Sequence, residues 1–326
     1  MGNICCSKNE KRDLKPPSKP PEVKPIQSQQ PPEPSPNYYQ LDTLRGHEGK
    51  ITCLKELKNQ DIMTGSNEGE LKIWNLSTLK CENTIKMDGQ ILCFLEFEPK
   101  MILLGKSTNN IELWDINDIF LSKKIFSFEG HEYWVTDLAK CDERYFASVS
   151  NDGNIRIWDY INKICLSIIS NNNINFQCLI HLSNGKLCTG DADSTVKIWD
   201  WKNKICENSY KKHTNTVKCL CELNNGEFAS GSEDKTILIW KKNDQPDVLT
   251  GHEKAVRYIC HIKEHYIASA GFDQTVRIWN LNFKACIQTL NGHNNFVTGV
   301  ISHSSEQLIS CSNDKTIIIW MKGGNY

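Results

Sequence analysis

Residues 217–240 read VKCLCELNNGEFASGSEDKTILIW, and this stretch decides the fold. It holds three short runs, VKCLCEL, EFASGS and TILIW, separated by Asn224-Asn225-Gly226 and Glu233-Asp234-Lys235. Apolar residues alternating with small or polar ones read as strands, and the Asn, Gly and Asp clusters between them read as turns. In sibling stretches a fourth run follows the tryptophan, KICENSY after Trp199 and KACIQTL after Trp279. The closing tryptophan recurs at Trp74, Trp114, Trp158, Trp199, Trp240, Trp279 and Trp320, at spacings of 40, 44, 41, 41, 39 and 41 residues. A period near 41 means one four-stranded unit copied seven times. The expected fold is therefore all-β: a seven-bladed β-propeller, whose radial closure leaves only short, protected edges.

The repeats fill residues 38–326 and leave no room for a second folded domain. A formal charge of -1 over 326 residues argues against a general nucleic-acid binder, which should be basic. No apolar run reaches the length of a membrane span, and no secretory signal opens the chain. Fifteen cysteines are present, but they follow the repeat. Cys81, Cys165, Cys206 and Cys286 fall seven residues after a blade tryptophan, and Cys53, Cys93, Cys178 and Cys219 fall 21 before one. Equivalent positions are expected far apart in space. These cysteines are therefore read as small buried apolar residues in a reducing compartment rather than as disulfide partners.

Residues 1–37 are a different polymer, expected to be a disordered head and tether. Nine of eleven prolines lie between Pro16 and Pro36, among Lys, Ser, Gln and Glu, a composition that buries too little to fold. The opening MGNICCSK places Gly2 for N-myristoylation, with Cys6 where the acylation pattern asks for Ser or Thr. Cys5 and Cys6 would be palmitoylated once held at a membrane. One acyl chain binds only marginally, so these thiols or the neighbouring lysines supply a second anchor. The expected location is a cytoplasmic membrane face, with lipidation at Gly2, Cys5 and Cys6.

Further residues keep register with each tryptophan. A histidine lies 27 residues upstream in five units: His47, His131, His213, His252 and His293. The tenth residue back is Thr64, Leu104, Ser148, Thr189, Ser230, Ser269 and Ser310, and the sixth is Glu68, Thr108, Asp152, Asp193, Asp234, Asp273 and Asp314. On these positions the chain resembles the WD40-repeat family along all of its length after the linker. The resemblance implies buried hydrogen-bonded tetrads: His131, Ser148, Asp152 and Trp158; His213, Ser230, Asp234 and Trp240; His252, Ser269, Asp273 and Trp279; His293, Ser310, Asp314 and Trp320. Blade one has Glu68 for the Asp, blade four has Asn172 for the His, and blade two keeps only Trp114. Blade two is accordingly expected to be the loosest. The last unit ends three strands into its blade, so YYQLDTL, residues 38–44, is expected to supply the fourth and close the ring beside the tether.

Recurring His, Ser and Asp invite a hydrolase reading, but each trio is tied to a tryptophan and is read as structural. His261-Ile262-Lys263-Glu264-His265 matches a zinc-protease pattern that needs a helix, whereas these residues fall at a strand end and turn. Catalytic residues, metal and cofactor are all expected to be absent. In the family, partners dock around the channel mouth. By register that face carries Lys50, Leu92, Trp134, Lys218, Glu233, Arg257, Phe272 and Phe296. The resemblance thus implies a non-enzymatic scaffold for protein partners, without nucleic acid or a small-molecule substrate. The alternative is a substrate-recruiting subunit of a ubiquitin ligase.

Overall fold

The computed structural model describes residues 36–117, 122–241, 245–304 and 306–323, so Gly2, Cys5, Cys6 and most of the proline-rich stretch lie outside the described residues. Among the described residues the strands form seven antiparallel four-stranded sheets. Blade five shows the plan: Val217–Glu222 innermost, then Phe228–Ser232, Ile237–Trp240 and Asp247–Leu249 at the rim. The innermost strands of the other blades are Ile51–Glu56, Ile91–Glu98, Val135–Lys140, Phe176–His181, Val256–Lys263 and Val297–His303. Each packs on the next, and Ile51–Glu56 packs on Val297–His303, which completes a ring.

Closure uses the chain's first described strand. Tyr38–Arg45 pairs antiparallel with Thr316–Lys322 and becomes the rim strand of blade seven, with a bulge between Gln40 and Asp42. Two anchors hold it. Tyr38 and Leu44 are buried, and Gln288 of blade six takes the Tyr38 backbone from both sides, accepting its N–H at 2.8 Å and donating to its carbonyl at 2.7 Å.

Neighbouring blades meet through a repeated exchange of volume. Cys53, Cys93, Cys178 and Cys219 on the inner strands stand opposite Gly65, Gly105, Gly190 and Gly231 on the second strands. A methyl group on Gly65 would sit 2.7 Å from Cys53 Sγ and 2.7 Å from Ile91 Cγ2 of the next blade. The glycine thus makes room for the thiol and for the neighbouring blade at once. Blade seven inverts the pair, with Gly299 inside and Cys311 opposite. Burial pushes the Cys53, Cys219 and Cys311 thiols up to about 12, so they are packing groups, not nucleophiles.

Two expectations about cysteine need correction. The inner four do not lie far apart around the ring: all of them line one central cavity. Nor are the four after the tryptophans buried, since Cys81 and Cys206 are exposed and Cys165 and Cys286 are half-exposed. A bulge at each of these tryptophans sets the cysteine on the rim strand opposite it, as in Trp74 with Cys81. Every described cysteine is unpaired.

Candidate functional site

Four blades are each pinned by a hydrogen-bond chain that ends on the blade tryptophan. In blade three the Trp158 indole N–H donates to Ser148 Oγ at 2.8 Å; Ser148 Oγ lies 2.7 Å from His131 Nε2, and His131 Nδ1 lies 2.7 Å from Asp152 Oδ2. Blades five, six and seven repeat the chain through Ser230, Ser269 and Ser310, with every link between 2.6 and 2.9 Å. The serine oxygen accepts the indole N–H and keeps its own proton to give; a neutral imidazole that accepts it at Nε2 turns its Nδ1 proton to the carboxylate. Burial holds the His131 and His213 imidazoles below their ordinary value. Burial alone would raise the Asp152 carboxyl, but bonds from His131 and the loop N–H groups outweigh it and lower it. The same carboxylate accepts the backbone N–H of Glu132 at 3.1 Å, which fixes the loop after the histidine.

The other three blades rebuild this chain differently. In blade one the carboxylate is Glu70, not Glu68. Glu70 is buried and accepts the Glu48 N–H, and its Oε2 lies 3.3 Å from His47 Nδ1, out of hydrogen-bond alignment, while Glu68 is exposed. Burial and then Lys72 push the His47 imidazole down to about 4. In blade four Asn171, not Asn172, is the buried group. Its amide donates to Asp191 Oδ2 at 2.8 Å, and Lys197 Nζ donates to both, at 2.6 Å to Asp191 and 2.7 Å to Asn171. Blade two lacks a histidine, yet its indole is satisfied: Trp114 donates to Glu112 Oε2 at 2.9 Å, and Glu112 pairs with the buried Lys106 at 3.2 Å.

These two ion pairs occupy the same register positions with opposite sign. Eight and two residues before the tryptophan, blade two carries Lys106 and Glu112, and blade four carries Asp191 and Lys197. Blades three and five to seven have only serine or glycine at the first of these positions. Reading these columns for compensating charge, and not only the histidine, serine and aspartate columns, is the signal that finds them.

At the channel mouth Trp134 is 46 % exposed and its neighbour Tyr133 is 60 % exposed. Their backbone is nevertheless rigidly held: the Tyr133 carbonyl accepts the Ser150 hydroxyl at 3.0 Å, and the Trp134 carbonyl accepts the Asn151 N–H at 3.1 Å. Phe272 and Phe296 stack on one another, with centroids 4.5 Å apart and planes at 13°. They form one continuous apolar step and do not stand apart as the two walls of a pocket. In a ring of seven, the seam between blades six and seven lies opposite blade three, so the two aromatic groups face each other across the mouth. Lys218 is tied to Gln177 at 2.9 Å and to Glu233 at 3.3 Å; Leu92 and Arg257 line the cavity beneath, and Lys50 is exposed just before the innermost strand of blade one.

His261 and His265 come together with no metal-binding set. His261 Nε2 donates to the Glu264 carbonyl at 3.0 Å, His265 packs on the Tyr266 ring, and the described residues hold no group of three or more ligating side chains.

Comparison with known proteins agrees with the geometry. The chain is 50% identical over 46 residues to an F-box/WD repeat-containing protein A-like protein of Dictyostelium discoideum, covering 14% of this chain and 4% of that one. It is 21% identical over 130 residues to a DENN domain and WD repeat-containing protein of Arabidopsis thaliana, 40% of this chain and 11% of that one. It is 43% identical over 47 residues to a probable E3 ubiquitin ligase complex SCF subunit of Neurospora crassa, 14% of this chain and 7% of that one. The chain thus spans only a small part of each relative. The family model for the WD domain, G-beta repeat, matches residues 38–75, 122–159, 164–200, 204–241, 244–280 and 284–321, and leaves outside it 76–121, where blade two departs from the pattern. With more than half of its length matched and seven blades in the ring, the chain belongs to the WD40 repeat family, whose propellers serve as protein-interaction scaffolds.

Proposed function

We propose that this protein is a non-enzymatic scaffold that grips an extended segment of a protein partner across the channel mouth. The observation that carries this reading is Trp134, a large ring left 46 % exposed on a backbone held from both sides. Rigid exposed aromatics are the residue type that dominates binding hot spots, because little side-chain entropy is lost on contact. The stacked Phe272 and Phe296 offer a second anchor opposite, Lys50, Lys218 and Glu233 complete the face, and Leu92 and Arg257 lie beneath it. Trp134→Ala and Phe296→Ala are each expected to weaken capture of the native partner while leaving the circular dichroism spectrum intact. Undiminished capture by both variants would sink the reading.

The head adds a tether: Gly2 acylated, with Cys5 and Cys6 as second anchors, holding the propeller at a cytoplasmic membrane face. Support comes from the MGNICC start and from the marginal hold of one acyl chain. Gly2→Ala is expected to move the protein from the membrane to the soluble fraction; a variant that stays with membranes rules the tether out.

A second reading, recruitment of substrates to a ubiquitin ligase, is favoured by the names of two relatives, an F-box/WD protein and an SCF subunit. Recovery of cullin-adaptor components with the wild-type chain would favour it over the simple scaffold.

A further inference from the structure

Beneath the mouth, the seven innermost strands wall a cavity of about 340 Å³. Its charged lining is lopsided: Lys55, Lys140, Lys218 and Arg257 against Asp137 and Glu222. Most of these groups are already engaged. Lys140 donates to the Phe97 carbonyl and to Glu143, Lys218 is held by Gln177 and Glu233, and Glu222 accepts the Ser183 N–H. Two cations are left. Lys55 and Arg257 are half-buried, and neither side chain makes a hydrogen bond or ion pair with any described residue.

Asp137 does not complete them. Its two oxygens are taken by backbone, Oδ1 by the Leu138 N–H at 2.9 Å and Oδ2 by the Leu179 N–H of the next blade at 2.8 Å. Lys55 comes from blade one, Arg257 from blade six and Asp137 from blade three, and both cations act electrostatically on the Asp137 carboxyl and on the Cys53 thiol. All three line the one cavity, whose lining carries four cations against two carboxylates, Asp137 and Glu222. Charge withdrawn from bulk water without a partner is unfavourable, and narrow low-dielectric walls strengthen its field. A guanidinium presents a planar fork of donors matched to two oxygens of one anion, and an ammonium adds a compact point charge. The volume equals that of about ten waters at roughly 30 Å³ each, enough for a small oxyanion with part of its hydration shell.

We propose that the central channel is a binding site for a small free oxyanion of the phosphate class, held by Arg257 and Lys55. The site lies below the aromatic anchors and does not depend on a partner docking at the mouth. An anion there offsets the positive excess of the cavity lining and links blades one and six through the middle of the ring.

Titration calorimetry of the full chain with inorganic phosphate, against chloride at the same ionic strength, tests the proposal. Saturable binding near one per chain is expected, weakened at least tenfold by Arg257→Ala, with Lys211→Ala, at an exposed lysine outside the cavity lining, binding as wild type. Because the Arg257 side chain makes no hydrogen bond or ion pair with a described residue, its removal is expected to leave the fold intact; circular dichroism checks this, and Arg257→Gln replaces it if needed. Lys55→Ala gives a second reading of the same loss. Absence of saturable phosphate binding in the wild type overturns the site, as does wild-type affinity in the Arg257 variant. Neither result touches partner capture through Trp134, so failure here is distinct from failure of the scaffold reading.

Discussion

Blade five and blade four hold the same indole in the same place by different chemistry. In blade five, Trp240 ends a chain of neutral groups that reaches an ion only at Asp234 on the rim. In blade four, Trp199 still donates to Thr189 at 2.9 Å, but a fully buried carboxylate and a nearly buried ammonium stand where serine and leucine stand in blade five. Blade two carries that substitution with the charges reversed. The repeat therefore fixes a tryptophan, while the groups that satisfy its surroundings differ from blade to blade. A histidine can be lost if an ion pair arises at the two paired positions.

The largest difference between the blades should appear when one charge is removed. Lys197→Ala leaves Asp191 buried with only Asn171 and Thr195 as donors, and its Oδ1 already lacks a partner. Removing one member of a buried pair costs about 3–5 kcal/mol, which urea unfolding followed by fluorescence would register. Lys106→Ala should cost less, because Glu112 keeps the Trp114 N–H and Lys124 at 3.4 Å. Equal losses in the two variants would mean that the pairs are not what distinguishes these blades.

A smaller effect is expected from reversing blade two. Lys106→Asp with Glu112→Lys recreates the polarity of blade four, yet Leu104 stands where Thr189 accepts the indole. The swap orphans the Trp114 N–H at a cost of about 1–3 kcal/mol, and adding Leu104→Thr should recover most of it. Ser230→Ala in blade five orphans both an indole and an imidazole, so its cost is expected at or above the upper end of that range, about 3 kcal/mol. If the triple variant is no more stable than the double, the hydroxyl position is not the missing part.

The ring, its closing strand and four complete tetrads were legible in the sequence because strand alternation has period two and the polar positions recur at fixed distance from a tryptophan. Glu70 and Asn171 were not. Glu70 is two residues from the expected turn position, at the start of the strand that holds Trp74, and burial rather than spacing sets it apart from Glu68; Asn171 replaces Asn172 because both Asn172 and Asn173 take the left-handed backbone that asparagine tolerates, and the loop is rotated by one residue. The stacking of Phe272 on Phe296 could not be read either, since register places both residues at the mouth but does not set the angle between their rings.

The smallest effect concerns pH, and it separates the blades by sign of protonation. Burial lowers the His213 imidazole below its ordinary value, so as pH falls through about 6.5 the unfolded chain takes up the proton first and blade five loses stability. The Asp234 carboxyl, which burial would raise, is lowered by bonds from Thr236 and the loop N–H groups. Its contribution is complete above the unfolded value of about 3.9 and disappears as pH falls through the lower folded value. Blade two has only the second kind of term: burial opposes, but the Trp114 N–H and Lys106 hold the Glu112 carboxyl below its ordinary range. Between about pH 6.5 and 4.5, blade five should therefore weaken while blade two does not. Indole N–H exchange by NMR reads this directly: Trp240 is expected to accelerate relative to Trp114 as pH is lowered across that window, after correction for intrinsic rates. Parallel profiles for the two indoles would show that the neutral imidazole does not set the pH response of the tetrad blades.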